Sequence, residues 1–245
     1  MQLFFQKDIK GDKLILDPDE SKHLARVLRK PIGDLVYFTN GKGSLFTCKI
    51  TDNHPKKAVL QIVEEEFVPQ EKHYIHLAIA PTKSPDRMEW MMEKITEIGV
   101  NEVTFIRSEN SEKDQINYER IYKKTVNACK QSFQTWLPEV NQVRTFGEFI
   151  HEKNWTTFQR FICFVDENIP LHLVQQAKPA QSYLVLVGPE GDFAPREIQE
   201  AVDQGFAPCS LGKSRLRTET AGLAVVHSLQ LVNTLFQKDD SAATL

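Results

Sequence analysis

Two patterns of apolar and polar residues divide the chain. Up to about Val68 the apolar runs are short and often alternate with polar residues, as in Ser44-Leu-Phe-Thr-Cys-Lys-Ile50, the mark of half-buried strands. Leu35–Phe38 precedes that segment across Thr39-Asn-Gly-Lys-Gly43, a hairpin-type turn, and Lys57–Val63 reads as a further strand. One helix-like segment, Ser21–Arg29, stops before Pro31 and Gly33. Short strands with a single helix predict a small β-barrel over residues 1–70. The acidic run Glu64–Glu66 and the polar Val68-Pro-Gln-Glu-Lys72 mark its expected boundary.

From His73 the pattern changes to strands alternating with helices, which predicts an α/β domain with a mostly parallel sheet over residues 73–240. Tyr74–Ala80, Val103–Ile106, Val140–Val143 and Arg160–Val165 read as strands. A helix begins at Ser84-Pro85 and ends at Gly99, with Met88, Met91, Met92, Ile95 and Ile98 on one side; the methionines read as core filling. A second helix runs from Asn117 to Gln134, and a short one starts at Phe146.

Residues Tyr183 to Ala221 carry the densest signals. Tyr183-Leu-Val-Leu-Val187 has the continuous apolar character of a strand covered on both faces, and Gly188-Pro-Glu-Gly191 follows it. A second loop, Ser210 to Thr220, contains Leu211-Gly212 and Leu216-Arg217. Both loops run into helices. Pro195 and Glu197 open one that closes before Gly205; Thr218 is expected to cap the other, whose apolar positions are Ala221, Val225, Leu229, Val232 and Phe236. In open α/β sheets ligands sit at the carboxyl ends of the strands, where both loops lie. Lys83 and Arg87 follow another strand end on the same rim, as cations suited to phosphate or a substrate carbonyl.

Composition narrows the class. Hydrophobic residues make up 41% of 245, enough for a sizeable core. No apolar run approaches the roughly 18 residues of a membrane span, and no secretory signal pattern opens the chain. Cys48, Cys129, Cys163 and Cys209 are scattered without metal or redox spacing, which predicts buried free thiols and a cytoplasmic location. The net charge of −3 hides an asymmetry: residues 1–57 hold eleven Lys/Arg against seven Asp/Glu. If RNA is bound, Lys22, His23, Arg26 and Arg29 in the first helix are the expected contacts, against the alternative of ordinary solvated charge.

Familiar chemistries fit poorly. Ala207 to Ser214 departs from a phosphate-binding P-loop at its first glycine, and Asp166-Glu167 precedes the lysine loop instead of following it. The seven histidines show no zinc-protease spacing, and there is no G-x-S-x-G elbow or G-x-G-x-x-G fingerprint. What remains is a rim rich in main-chain donors, apolar Leu186, Leu211 and Leu216, and ionisable Glu190, Arg217 and Glu219. Such a set suits a nucleoside, a flat ring with hydrogen-bonding edges.

The combination of Gly188-Pro-Glu-Gly191 with Leu216-Arg217-x-Glu219-Thr220-Ala221 resembles the ribosomal RNA small subunit methyltransferase E family, of the SPOUT trefoil-knot class. His23-x-x-x-Val27-Leu28-Arg29, Lys83-x-x-x-Arg87 with Glu93-Lys94-x-x-Glu97, and Gln131-Ser132 extend the resemblance along nearly the whole chain. It implies a PUA-like RNA-binding barrel, a knotted α/β domain, a homodimer, and methyl transfer from S-adenosylmethionine to N3 of a uridine in 16S rRNA of the small ribosomal subunit. A non-catalytic RNA-binding assembly factor on the same fold is the alternative. The expected cofactor residues are Leu186, Gly188, Pro189, Glu190, Gly191, Leu211, Gly212, Leu216 and Thr220; no metal is expected. Arg217 is expected to hold the uracil oxygen, and Glu219 to accept the imide proton, orient Arg217, or simply sit at a helix start. Asn110, Gln134 and Ser214 depart from the family's usual residues, with Arg215 a candidate replacement for the charge absent at Ser214.

Overall fold

The computed structural model describes residues 2–113, 115–166 and 171–236, apart from the side chains of 153 and 154. Glu167 and residues 237–240 of the expected second domain lie outside the described residues. The chain forms two compact units: residues 1–70 with 126–137, and residues 71–125 with 138–245.

In the first unit, β1 (Leu3–Phe5), β2 (Lys13–Ile15), β3 (Leu35–Thr39), β4 (Ser44–Asp52) and β5 (Val59–Phe67) form a curled sheet in the order β1-β3-β4-β5-β2. Its pairs are antiparallel except β1 with β3. The predicted alternation holds in β4, where Phe46, Cys48 and Ile50 point into a core with Phe4, Leu14, Val36, Phe38 and Leu60. Glu64, Glu65 and Glu66 pair with Thr47, Phe46 and Leu45 as part of β5. A strand needs only its backbone paired, so three exposed carboxylates are compatible with it. The first helix, α1 (Pro18–Lys22), begins earlier than expected because Asp17 caps it, accepting from the Glu20 N–H at 2.8 Å. A π-turn over His23–Val27 follows, and the helix ends before Arg29, whose φ is +51°. Within this unit Trp136 donates from Nε1 to the Val68 carbonyl at 2.8 Å and lies edge-on to Phe67. A Cβ on Gly43, at φ +92°, would collide with the Trp136 ring.

The second unit is a six-stranded parallel sheet comprising β6 (Tyr74–Ile79), β7 (Glu102–Arg107), β8 (Glu139–Thr145), β9 (Gln159–Cys163), β10 (Ser182–Val187) and β11 (Ala207–Cys209), in the order β11-β9-β10-β6-β7-β8. Helices α2 (Pro85–Ile98), α4 (Phe146–Ile150), α5 (Leu173–Gln176), α6 (Pro195–Asp203) and α7 (Thr218–Phe236) connect the strands or follow them, as does α3 (Tyr118–Ser132), whose residues from 126 onward count with the first unit. Alternate strand residues feed two cores. Leu77, Ile79 and Val185 meet Met88, Met91, Met92, Val225 and Leu229, whereas Ala78, Leu184 and Leu186 meet Phe149, Ala201 and Phe206. Each fully buried Leu, Ile or Met contributes about 1.5–3 kcal/mol relative to exposure, so the continuous apolar runs read from the sequence hold this sheet between its two helical layers. α7 lies close against β6 because residue 222 is glycine: a Cβ there would come within 2.8 Å of Ile79 Cδ1 and Met91 Sδ. All four cysteines are buried and free, with Cys163 and Cys209 Sγ atoms 3.2 Å apart on β9 and β11. Burial pushes the Cys48 and Cys129 thiols up to about 12.

Candidate functional site

The two loops meet at the carboxyl ends of the strands. Thr218 is the first residue of α7, not its cap, and its hydroxyl donates to the Gly188 carbonyl at 3.1 Å. Arg215 donates from its guanidinium to the Glu190 carbonyl at 3.2 Å, and Glu190 Oε1 accepts from the Lys83 N–H at 3.2 Å. These bonds join residues 188–190, 215–218 and the β6 end into one rim.

Gly188 and Gly191 are needed for close packing rather than for a left-handed backbone. A Cβ at Gly188 would press on Phe193, and one at Gly191 on Asn110, each at 3.2 Å. Asn110 also donates from Nδ2 to the carbonyls of Gly191 and Asp192, at 3.3 and 3.0 Å. The residue that departs from the family pattern therefore fastens the loop. Gly212 is different: its φ is +119° and an added Cβ would meet no heavy atom within 4 Å. It combines a backbone favouring glycine with open space. Leu211 and Leu216 are half-buried beside that space, packed against the core. Pro189 is buried and Glu190 and Gly191 are exposed. Leu186 is fully buried in the core, so any ligand contact it makes goes through its main chain.

A cavity of about 620 Å³ opens beside this rim, lined by Asp86, Arg87, Trp90, Arg215, Leu216, Arg217, Glu219 and Thr220. It gathers Arg87, Leu216, Arg217, Glu219 and Thr220 from the residues singled out in the sequence, and leaves Leu186, Gly188–Gly191, Leu211, Gly212 and Lys83 outside its walls. Arg217 is exposed and its guanidinium has no hydrogen-bond or ion-pair partner among the described residues. Glu219 is only 5% exposed; one carboxylate oxygen lies 3.6 Å from Arg87 Nε, and the other, also buried, has no hydrogen-bond partner among the described residues. A buried carboxylate oxygen left without a donor is costly unless something supplies one, and the first turn of a 19-residue helix offsets only part of that cost. The cavity thus presents one free donor, Arg217, and is bordered by a carboxylate whose unpartnered oxygen is buried in its wall.

Lys83 pairs instead with Glu112, at 2.7 Å, outside this cavity, and that carboxylate raises its ammonium pKa. A second cavity of about 710 Å³, lined in part by Thr82, Glu89, Glu112 and Tyr118, contains none of the cofactor, catalytic or RNA-binding residues expected from the sequence. In it Glu89 is already paired with Arg120 at 2.8 Å. In the first unit, Lys22, Arg26 and Arg29 are exposed without ion-pair partners among the described residues, and His23 lies edge-on to Phe4. Trp90 and Asp86 escaped the sequence reading. The available signal was phase: Arg87 and Trp90 fall on the side of α2 away from Met88, Met91, Met92 and Ile95.

The sequence profile of an RNA methyltransferase domain matches residues 69–230, and that of an RNA methyltransferase PUA domain matches residues 16–63. Ribosomal RNA small subunit methyltransferase E of Synechocystis sp. is 32% identical over 216 residues, covering 84% of this chain and 70% of its own. The crystal structure of a probable rRNA-methyltransferase from Porphyromonas gingivalis is 38% identical, with a TM-score of 0.90 and coverage of 97% of this chain and 100% of that one. A ribosomal RNA small subunit methyltransferase E from Neisseria gonorrhoeae, bound to S-adenosyl methionine, is 27% identical, with a TM-score of 0.85 and coverage of 95% and 98%. With an α/β parallel-sheet unit, a curled PUA-like sheet and a profile match over most of its length, this chain belongs to the ribosomal RNA small subunit methyltransferase E family.

Proposed function

We propose that the protein methylates N3 of a uridine in 16S rRNA, using S-adenosylmethionine and acting in the cytoplasm. The observation that carries this reading is the joined rim with its adjoining cavity, where the free Arg217 guanidinium and the unpartnered Glu219 oxygen stand together. The rim residues fit an adenosyl group: Gly212 leaves open space, Leu211 and Leu216 offer apolar faces, and Gly188 and Glu190 are held in place by Thr218 and Arg215. Leu186, Gly188, Pro189, Glu190, Gly191, Leu211, Gly212, Leu216 and Thr220 are the proposed binding set, with Leu186 contributing through its backbone. When bound, S-adenosylmethionine supplies an electrophilic methyl group on sulfur.

Uracil N3 is a weak acid, so its proton must leave as the new N–C bond forms. Arg217 donates to a uracil oxygen and stabilises the negative charge that develops on the ring. Glu219 accepts the N3 proton at its unpartnered oxygen, while Arg87 lies 3.6 Å from the other oxygen. Lys22, His23, Arg26 and Arg29 contact RNA phosphates from the first unit, and Lys83 and Arg87 from the second. A homodimer and the trefoil knot belong to the same reading. The homodimer is supported by exposed Leu231 and Leu235 on α7, and the knot by family membership.

Calorimetry with S-adenosylmethionine, followed by mass analysis of 16S rRNA from cells lacking the gene, tests the function. Binding, together with the loss of one methyl group from a uridine, is expected. A protein that binds the cofactor but whose deletion leaves the rRNA mass unchanged acts as a non-catalytic assembly factor instead.

A further inference from the structure

Trp90 has no role in the chemistry above, yet it is the large aromatic of the cavity. It is 43% exposed, and its indole makes no hydrogen bond or ring contact among the described residues. Helix α2 places it one turn beyond Arg87, and Arg87 reaches Glu219 at 3.6 Å. Trp90 thus lines the same cavity as Arg87, Arg215, the free Arg217 and Glu219, three guanidinium groups around one aromatic ring. Asp86 shares Arg120 with Glu89, at 3.3 and 2.8 Å, and the three guanidinium groups of the cavity outnumber its two carboxylates. An aromatic face flanked by guanidinium groups is the arrangement that holds unpaired bases: the ring stacks on the π-face while the cations meet backbone and carbonyl oxygens.

We propose that Trp90 is the stacking platform for an unpaired pyrimidine base of the RNA, with the hydrogen-bonding edge of that base turned toward Arg217 and Glu219. This rests on the proposed function, since it is the acceptor base that the platform holds. It also implies that the base enters unstacked from its strand, because an indole occupies the place of a neighbouring base. The alternative occupant of this exposed face of α2 is a second copy of the chain.

The test compares the full-length protein with Trp90→Ala and Trp90→Phe, using a short single-stranded oligouridylate and an abasic ribose-phosphate oligomer of the same length and charge. Trp90→Ala should weaken oligouridylate binding by roughly tenfold, as expected for loss of one base–aromatic stack. Binding of the abasic oligomer should not change, and Trp90→Phe should restore most of the loss. The affinity for S-adenosylmethionine and the sedimentation mass should match the wild type. An equal loss on both oligomers, no loss on either, or a fall in mass that moves Trp90 to a subunit contact overturns the proposal. A base-dependent loss in a protein that does not bind S-adenosylmethionine would retain the platform and sink the methyltransferase reading.

Discussion

The two ends of the parallel sheet handle buried polarity in opposite ways. At the amino ends of β6, β7 and β8 polar side chains form a bonded network: His76 Nε2 bonds to Thr104 Oγ1 at 2.8 Å, Tyr74 donates to Glu102 at 2.9 Å, and Asn141 donates to Glu102 and Thr104 at 2.6 and 2.9 Å. His76 Nδ1 lies 3.3 Å from Glu102 but outside hydrogen-bonding alignment, and Trp155 and Phe149 close over the imidazole edge-on and near-perpendicular. Desolvation outweighs the nearby carboxylate, pulling His76 down to about 3 and pushing Glu102 up. At the carboxyl ends, Arg217 has no partner among the described residues and Glu219 keeps an orphan oxygen. One end ties its polar side chains into a buried network, and the other leaves the exposed Arg217 guanidinium free beside a cavity.

Substitutions that act on activity at one end and stability at the other test this contrast. The largest effect is expected from Arg217→Ala. Methylation should fall on the order of a hundredfold with cofactor affinity nearly intact, as for loss of one preorganised donor. The thermal midpoint should not move, because the guanidinium makes no contact that folding depends on. Unchanged turnover would remove Arg217 from the mechanism.

His76→Leu should do the reverse, lowering stability by about 1–3 kcal/mol through lost hydrogen bonding while leaving cofactor affinity alone. Its pH signature is sharper. The unfolded chain binds the histidine proton below about 6.5 and the folded chain only near 3, so wild-type stability should fall as pH drops through that window. Glu102, raised by burial, opposes this: it favours folding below its unfolded pKa and loses that contribution as pH rises. The His76 shift sets the net sign, and denaturant midpoints of His76→Leu should be flatter from about pH 7 to about pH 4. Parallel curves for the variant and the wild type would contradict the assignment.

The smallest effect belongs to Thr218→Val. It removes the buried 3.1 Å bond between the two loops and should weaken S-adenosylmethionine binding severalfold, at about 1 kcal/mol, with a comparable loss of stability. Calorimetry at fixed salt reads it directly.

Much of this protein was decided by local pattern. The continuous apolar run Tyr183–Val187, the alternation in Ser44–Ile50 and the Ser84-Pro85 to Gly99 helix all reappear, because strand and helix periodicity reflects which faces are buried and needs no knowledge of the partners. The two rim motifs were legible for the same reason, as short loops between recognisable elements. Tertiary structure alone brought Trp90 and Glu219 to one cavity, Asn110 to Gly191, and His76 to Thr104, and it placed the acidic run at Glu64 in a strand. These pairings depend on strand order and register, which are set by packing between residues distant in the chain. A charge or an aromatic ring read in isolation carries no record of the neighbour that leaves it satisfied or open.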